Sequence, residues 1–249
     1  MFNPTQPTLK ARIAGGDCIA VSWLALGSAA LVEAAARAQP EAIVIDMQHG
    51  LWDRRELEAA IGVVPSHIPV IVRVAENSAT AIGMALDAGA EGVIVPLVES
   101  AEQCRHAVRC AKYPPHGIRS AGGVRPLMDF GAYLEGAKHI AVMVMIETAA
   151  GLVNAREIAA VEGLDLVFIG TGDLALSLEI GAGDASKHAE ACAEIKHACD
   201  DASVPCGAFT GTTDAALQRR EQGYRMVVAA NDIDVVVQGF KRATAALAS

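Results

Sequence analysis

Short continuous apolar runs alternate with alanine-rich amphipathic stretches along the whole chain. The runs are CIAVSWLAL (18–26), EAIVID (41–46), PVIVRV (69–74), GVIVPL (92–97), AVMVMI (141–146), LDLVFIG (164–170), VPCGAF (204–209) and YRMVVA (224–229). Aliphatic runs of this length, bounded by turn residues, read as strands buried on both faces, as in a parallel sheet. Helical periodicity fills the gaps: GSAALVEAAARA, a segment that Asp53 is placed to cap, ATAIGMALDAGA, and about Ser100 to Lys112. A last helix is expected from about Ile233 to the C-terminus. Pro7 to Ile13 reads as a short helix plugging the bottom of whatever follows.

Eight strand–helix units with no linker or low-complexity segment predict an α/β fold, a (β/α)8 TIM barrel, with residues 1–249 as one domain. An open doubly wound sheet is the alternative, but it usually has fewer strands, and G-x-G-x-x-G is missing after the first strand. The connection YPPHGIRSAGGVRPLMDFGAYLEGAKH, residues 113–139, is too long for an ordinary loop. It is expected to be a functional lid or an interface segment.

Composition narrows the function. Apolar residues are 52% of the 249, enough for a large core, and the net charge is −9. That charge argues against a nucleic-acid partner, which needs clustered Lys and Arg. Cys18, Cys104, Cys110, Cys192, Cys199 and Cys206 form no C-x-x-C pair and read as buried thiols in a reducing cytoplasm. MFNPTQPTLKAR holds no apolar signal stretch, and no run is long enough to span a membrane, so no membrane partner is expected.

The chemistry of such a barrel sits at the C-terminal ends of its strands. The polar residues arriving there are Asp46, Gln48 and His49, then Arg73, Glu147, and Thr171 with Asp173. Glu147 and Asp173 end strands joined by one helix and so lie side by side. They can be a general acid–base pair, two ligands of a hard cation, or merely caps of the helices that follow. Asp46 is spaced to orient His49 as a base. Arg73 needs an anionic partner, either Glu147 or Asp173 in a structural bridge, or a substrate carboxylate or enolate oxygen. Asp87, in LDAGAEGVIVP, follows a helix and belongs by position near the bottom of the barrel, with a structural role. No lysine lies at a strand's C-terminal end, which leaves a Schiff-base mechanism without its nucleophile. His188 and Cys192, at i, i+4 spacing, read as surface and core.

VIDMQHG, VIVRV, LDAGAEGVIVPLVES, YPPHGIRSAGG and MIETAAGLVNAREIAAVEGLDLVFIGTGDLALSLE together resemble the HpcH/HpaI aldolase family over most of the chain. These are metal-dependent class II pyruvate aldolases on a phosphoenolpyruvate/pyruvate-type barrel. The resemblance implies Glu147 and Asp173 as metal ligands and His49 as the catalytic base. It implies Arg73 as the residue that holds pyruvate and stabilises the enolate, and the Gly172 N–H as a contact for the pyruvate carboxylate. It gives Asp87 a role in raising the basicity of the histidine, from a neighbouring subunit or a folded-back loop. Four positions depart from the family pattern. Met145 replaces a substrate-contacting glutamine, Gln48 stands where glutamate is common, and Thr171-Gly172 replaces Pro-Ala.

The expected reaction is reversible cleavage of a 4-hydroxy-2-oxo acid to pyruvate, or hydroxypyruvate, and an aldehyde. The implied cofactor is a divalent cation (Mg2+, Mn2+ or Co2+), and the partners are small molecules. A homo-oligomer, trimer or hexamer, with exchanged C-terminal helices is also implied. The alternatives are a citrate-lyase-like enzyme acting on acyl-CoA, which needs a basic surface, and a non-catalytic barrel that binds 2-oxo acids.

Overall fold

The computed structural model describes residues 6–181 and 184–247. Eight parallel strands close into a barrel in chain order. They are β1 (Ile19–Leu24), β2 (Ala42–Asp46), β3 (Val70–Arg73), β4 (Gly92–Val95), β5 (Ala141–Ile146), β6 (Leu166–Ile169), β7 (Cys206–Ala208) and β8 (Met226–Asn231). Seven lie within the apolar runs read from the sequence, and β8 continues two residues past its run, to Asn231.

Alternation along the strands builds two cores. Ile43, Ile45, Val72, Val93, Val95, Val142, Val144 and Ile146 point outward and are covered by helices. Ile19, Val21, Trp23, Val44, Ile71, Ile94, Met143, Met145, Leu166 and Phe168 fill the barrel interior. The same parity places Asp46, Arg73 and Glu147 on the inner face, one step above the packed layers. The expected bottom plug is present as helix Leu9–Ala14, whose Leu9 and Ile13 join the interior cluster.

Most strand-to-helix turns end in a side-chain cap. Asp53 accepts from the Glu56 N–H at 2.8 Å, as its position predicted. Ser28, Ser78, Ser100, Thr148 and Thr212 do the same for their helices, each contributing about 1 kcal/mol. The connection after residue 112 is not an open loop. It carries helices Val124–Met128 and Phe130–Ala137. Arg125 staples it under the barrel by donating to the carbonyls of Ala88 (2.8 Å) and Glu58 (2.5 Å).

The last helix, Asp232–Leu247, begins one residue earlier than expected. Its buried first residue, Asp232, accepts from the N–H groups of Ala25 (3.0 Å) and Leu26 (2.9 Å), tying the end of β8 to the β1 turn. Beyond it the helix leaves the barrel, with Ile233, Val235, Val237 and Phe240 exposed. All six cysteines are free thiols, and Cys18 is only half-buried. No described helix is long and apolar enough to cross a membrane.

Candidate active site

At the C-terminal rim of β2 and β3, Asp46 and Arg73 are direct register partners. Arg73 donates from Nε to Asp46 Oδ1 at 2.7 Å and from Nη2 to Asp46 Oδ2. Trp23 Nε1 donates to the same Oδ2 at 3.2 Å, and the guanidinium lies 5.0 Å over the Trp23 ring. Trp23 in turn stacks on Phe168 and meets Phe209 edge-on, at 5.8 and 5.3 Å. The structural bridge left open between Arg73 and Glu147 or Asp173 is not the one formed. The protein partner of Arg73 is Asp46, and among the described residues Nη1 alone has no hydrogen-bond acceptor.

Among the described residues Asp46 makes no bond to the His49 imidazole. Its Oδ1 also accepts from the backbone N–H groups of Gln48 (3.0 Å) and His49 (3.2 Å). It therefore shapes the turn that carries His49 to the exposed rim. Burial pushes the Asp46 carboxyl up, but the bonds and charge of Arg73, with the His49 and Trp23 donors, outweigh it and hold the group below its usual range.

Glu147 extends β5 on the inner parity of Met143 and Met145. It is buried, and its Oε1 accepts from the Leu97 N–H at 2.8 Å. Leu97 reaches this geometry at a φ of 53°, in the left-handed region. Among the described residues Glu147 Oε2 is buried with no hydrogen-bond partner. Burial raises the Glu147 pKa to about 7. The Leu97 N–H opposes that rise, and the neighbouring Asp173 carboxylate adds to it. Gly170, at the end of β6, makes the approach possible. A Cβ there would lie 2.3 Å from Glu147 Oε2 and 2.9 Å from Met145 Cε.

Neither acid is a helix cap. Thr148 caps the helix after Glu147, accepting from the Gly151 N–H at 3.0 Å. The helix carrying Asp173 already begins at Thr171 and has no side-chain cap. Asp173 therefore sits in its first turn, beside Glu147 and half-buried. An orphaned buried oxygen, a second carboxylate beside it and a glycine cradle suit a hard divalent cation, which is often held by one or two carboxylates. Among the described residues no third His, Cys, Asp or Glu joins them.

The turn before Asp173 lacks the stiffness of proline and is tied in other ways. Thr171 Oγ1 donates to the Phe209 carbonyl at 3.1 Å, and His188 Nε2 lies 2.9 Å from the Thr171 carbonyl. His188 is thus a support of this turn rather than a plain surface residue. Gly172 is exposed, and a Cβ there would meet nothing. Met145 is 1% exposed and belongs to the packed interior beneath the acids.

Asp87 ends helix Ala79–Asp87, which runs antiparallel to the strands. It therefore lies at the opposite end of the barrel from His49, and no loop folds it back. There it pairs with Arg119. Trp23, Asp46 and Gly170 were not singled out as a brace and a cradle in the sequence. Their shared inward parity with Arg73 and Glu147 is the signal that points to them.

Residues 20–238 match the family model described as HpcH/HpaI aldolase/citrate lyase. A hydroxypyruvate/pyruvate aldolase of Paraburkholderia phytofirmans is 35% identical, over 98% of both chains. A 4-hydroxy-2-oxovalerate aldolase of Rhodococcus jostii is 39% identical over 72% of this chain and 70% of its own. The crystal structure of an HpcH/HpaI aldolase/citrate lyase family protein from Burkholderia cenocepacia superposes with a TM-score of 0.92 at 32% identity, covering 98% of this chain and all of the other. With its barrel, its paired rim acids and these likenesses, the chain belongs to the HpcH/HpaI aldolase/citrate lyase family.

Proposed function

We propose that this enzyme is a class II aldolase that reversibly cleaves a 4-hydroxy-2-oxo acid into pyruvate, or hydroxypyruvate, and an aldehyde. The observation that carries the reading is the buried, unpartnered Glu147 Oε2 beside Asp173, on the same rim as a braced arginine. Glu147 and Asp173 would hold Mg2+, Mn2+ or Co2+. When bound there, the cation would supply Lewis acidity that polarises the 2-oxo group and acidifies the neighbouring C–H.

The protein groups do the rest. Arg73 Nη1, left free by Asp46, donates to the oxygen on which enolate charge develops. The Asp46 and Trp23 bracing spares Arg73 any reorganisation as that charge grows. The Gly172 N–H, in the first turn of its helix, receives the carboxylate of the 2-oxo acid. His49, exposed at the rim, takes the proton from the 4-hydroxyl in cleavage and returns it in synthesis. Asp87 is at the far end of its own barrel, so it serves His49 only from a neighbouring copy. The exposed apolar helix Asp232–Leu247 supports a homo-oligomer, trimer or hexamer, in which this helix packs on a neighbour. The names of the aldolase relatives support the same chemistry.

The test follows deuterium entering the methyl group of pyruvate in D2O by NMR. After EDTA treatment exchange is expected to stop, and to return with Mn2+, Mg2+ or Co2+. No exchange with any of these ions would leave a 2-oxo-acid-binding barrel without aldolase chemistry.

A further inference from the structure

Arg119 is the most buried cation of the molecule outside the rim, with its side chain 1% exposed. Its backbone is fixed by its N–H on the Lys112 carbonyl at 3.0 Å, and the Ile118 N–H sits on the Arg109 carbonyl at 2.8 Å. Its guanidinium lies between the rings of Tyr113 and Tyr133, 4.8 and 5.2 Å from their centroids. Nη2 donates to Asp87 Oδ1 at 2.8 Å and to the Tyr133 hydroxyl. That hydroxyl is itself 3.2 Å from the same Oδ1. Gly123, at a φ of +100°, presses on the other side, where a Cβ would lie 3.1 Å from Asp87 Cβ.

A buried arginine that served only to staple the connection would fill its donors with main-chain carbonyls, as Arg125 does. Arg119 leaves Nε and Nη1 buried and unpaired. A desolvated cation with empty donors is costly unless its remaining bonds matter. Those bonds go to the Tyr133 hydroxyl and to one oxygen of a carboxylate whose side chain is 23% exposed. Asp87 Oδ1 is held twice, while Oδ2 takes no hydrogen bond among the described residues, on a side chain that is only partly buried. Burial raises the Asp87 pKa, and the Arg119 charge counters it.

We propose that Arg119, aided by Tyr133, is a positioning residue that aims Asp87 Oδ2 at His49 of a neighbouring copy. The inference rests on the aldolase reading above, in which Asp87 acts between subunits. In it each active site draws His49 from one copy and the clamped Asp87 from another.

The test is subunit complementation. Arg119→Met should lower kcat by about 10- to 100-fold, the usual cost of losing a residue that orients a reacting group. KM for the 2-oxo acid should stay within about twofold, because Arg119 touches no substrate. Arg119→Met and His49→Ala are then co-expressed with different tags and purified through both. Random assembly in equal amounts gives about a quarter of sites an intact His49 and an intact Arg119–Asp87 pair, so about a quarter of wild-type activity should return. Arg119→Met with Asp87→Asn should stay as low as either parent, because both lesions lie on the donating copy. Arg119→Lys should keep part of the rate. Tyr133→Phe, which removes one hydroxyl, should show a smaller loss with the same rescue pattern, and it serves if Arg119→Met does not assemble.

Recovery with Asp87→Asn, no recovery with His49→Ala, or full activity of folded Arg119→Met or Tyr133→Phe would overturn the proposal. A wild-type enzyme that neither cleaves 4-hydroxy-2-oxo acids nor exchanges pyruvate protons would remove the aldolase reading, and this inference with it.

Discussion

Replacing Asp46 by Asn tests the brace behind Arg73. Asparagine keeps the size and one acceptor oxygen, so the Gln48 and His49 N–H groups still find a partner. The charge is lost, and Arg73, 7% exposed, is left with only the Trp23 ring and an amide. Removing one partner of a buried ion pair costs about 3–5 kcal/mol. The retained hydrogen bonds bring the expected loss to roughly 2–3 kcal/mol. In a chain of 249 residues this corresponds to a Tm lower by about 4–12 °C at pH 7. The pH dependence has a definite sign. The folded Asp46 carboxyl is held below its usual range, so its stabilisation is complete above the unfolded value of about 4 and fades as pH falls through the folded value. The difference in Tm between wild type and Asp46→Asn, followed by circular dichroism, should be full at pH 7 and shrink below about pH 4. A variant that melts within a degree of wild type at pH 7, or a gap unchanged in acid, would refute the pairing. KM for the 2-oxo acid should also rise, because an unbraced guanidinium must be ordered anew at each binding event.

Gly170→Ala puts a methyl 2.3 Å from Glu147 Oε2, so the carboxylate must shift by about an ångström. Mn2+ affinity by EPR titration should fall about 10- to 100-fold, and unchanged affinity would separate Glu147 from the metal. Arg73→Lys replaces a fork that serves Asp46 and, in the proposed mechanism, the substrate, with a point charge. kcat/KM should drop about 100-fold, and unaltered turnover would take Arg73 out of the site. Phe240→Asp charges a position that is 72% exposed on the final helix. Light scattering should then report a smaller assembly, whereas an unchanged mass would exclude that helix face as an interface.

The barrel was legible because every strand is buried on both faces and therefore reads as an uninterrupted apolar run. The rim was legible because a charged residue ending such a run has few roles other than chemistry. Pairings across strands were not. Asp46 meets Arg73 through the register of β2 against β3, and a linear sequence does not state register. Trp23 looked like core because its ring is core, while its one polar atom reaches Asp46. Asp173 could be taken for a cap because Gly170, which precedes the helix at Thr171, brings no capping side chain to mark its start.

Two features have no explanation within a single chain. Arg119 clamps Asp87 by one carboxylate oxygen, with the other unbonded among the described residues, at the end of the barrel opposite the rim acids. The final helix holds Val235, Val237 and Phe240 in solvent, although only its first residue is needed to close β8 onto β1. One assembly accounts for both. If the helix docks on a neighbour and brings the bottom of one barrel to the rim of another, burial of its apolar face drives the contact. The clamped carboxylate then arrives at a histidine that, among the described residues of its own chain, is paired with no acid. Assembly and catalysis should therefore fail together. A truncation after Asp232 that dissociates the enzyme should lower kcat as far as Asp87→Asn does, and a dissociated form with full kcat would sever the two.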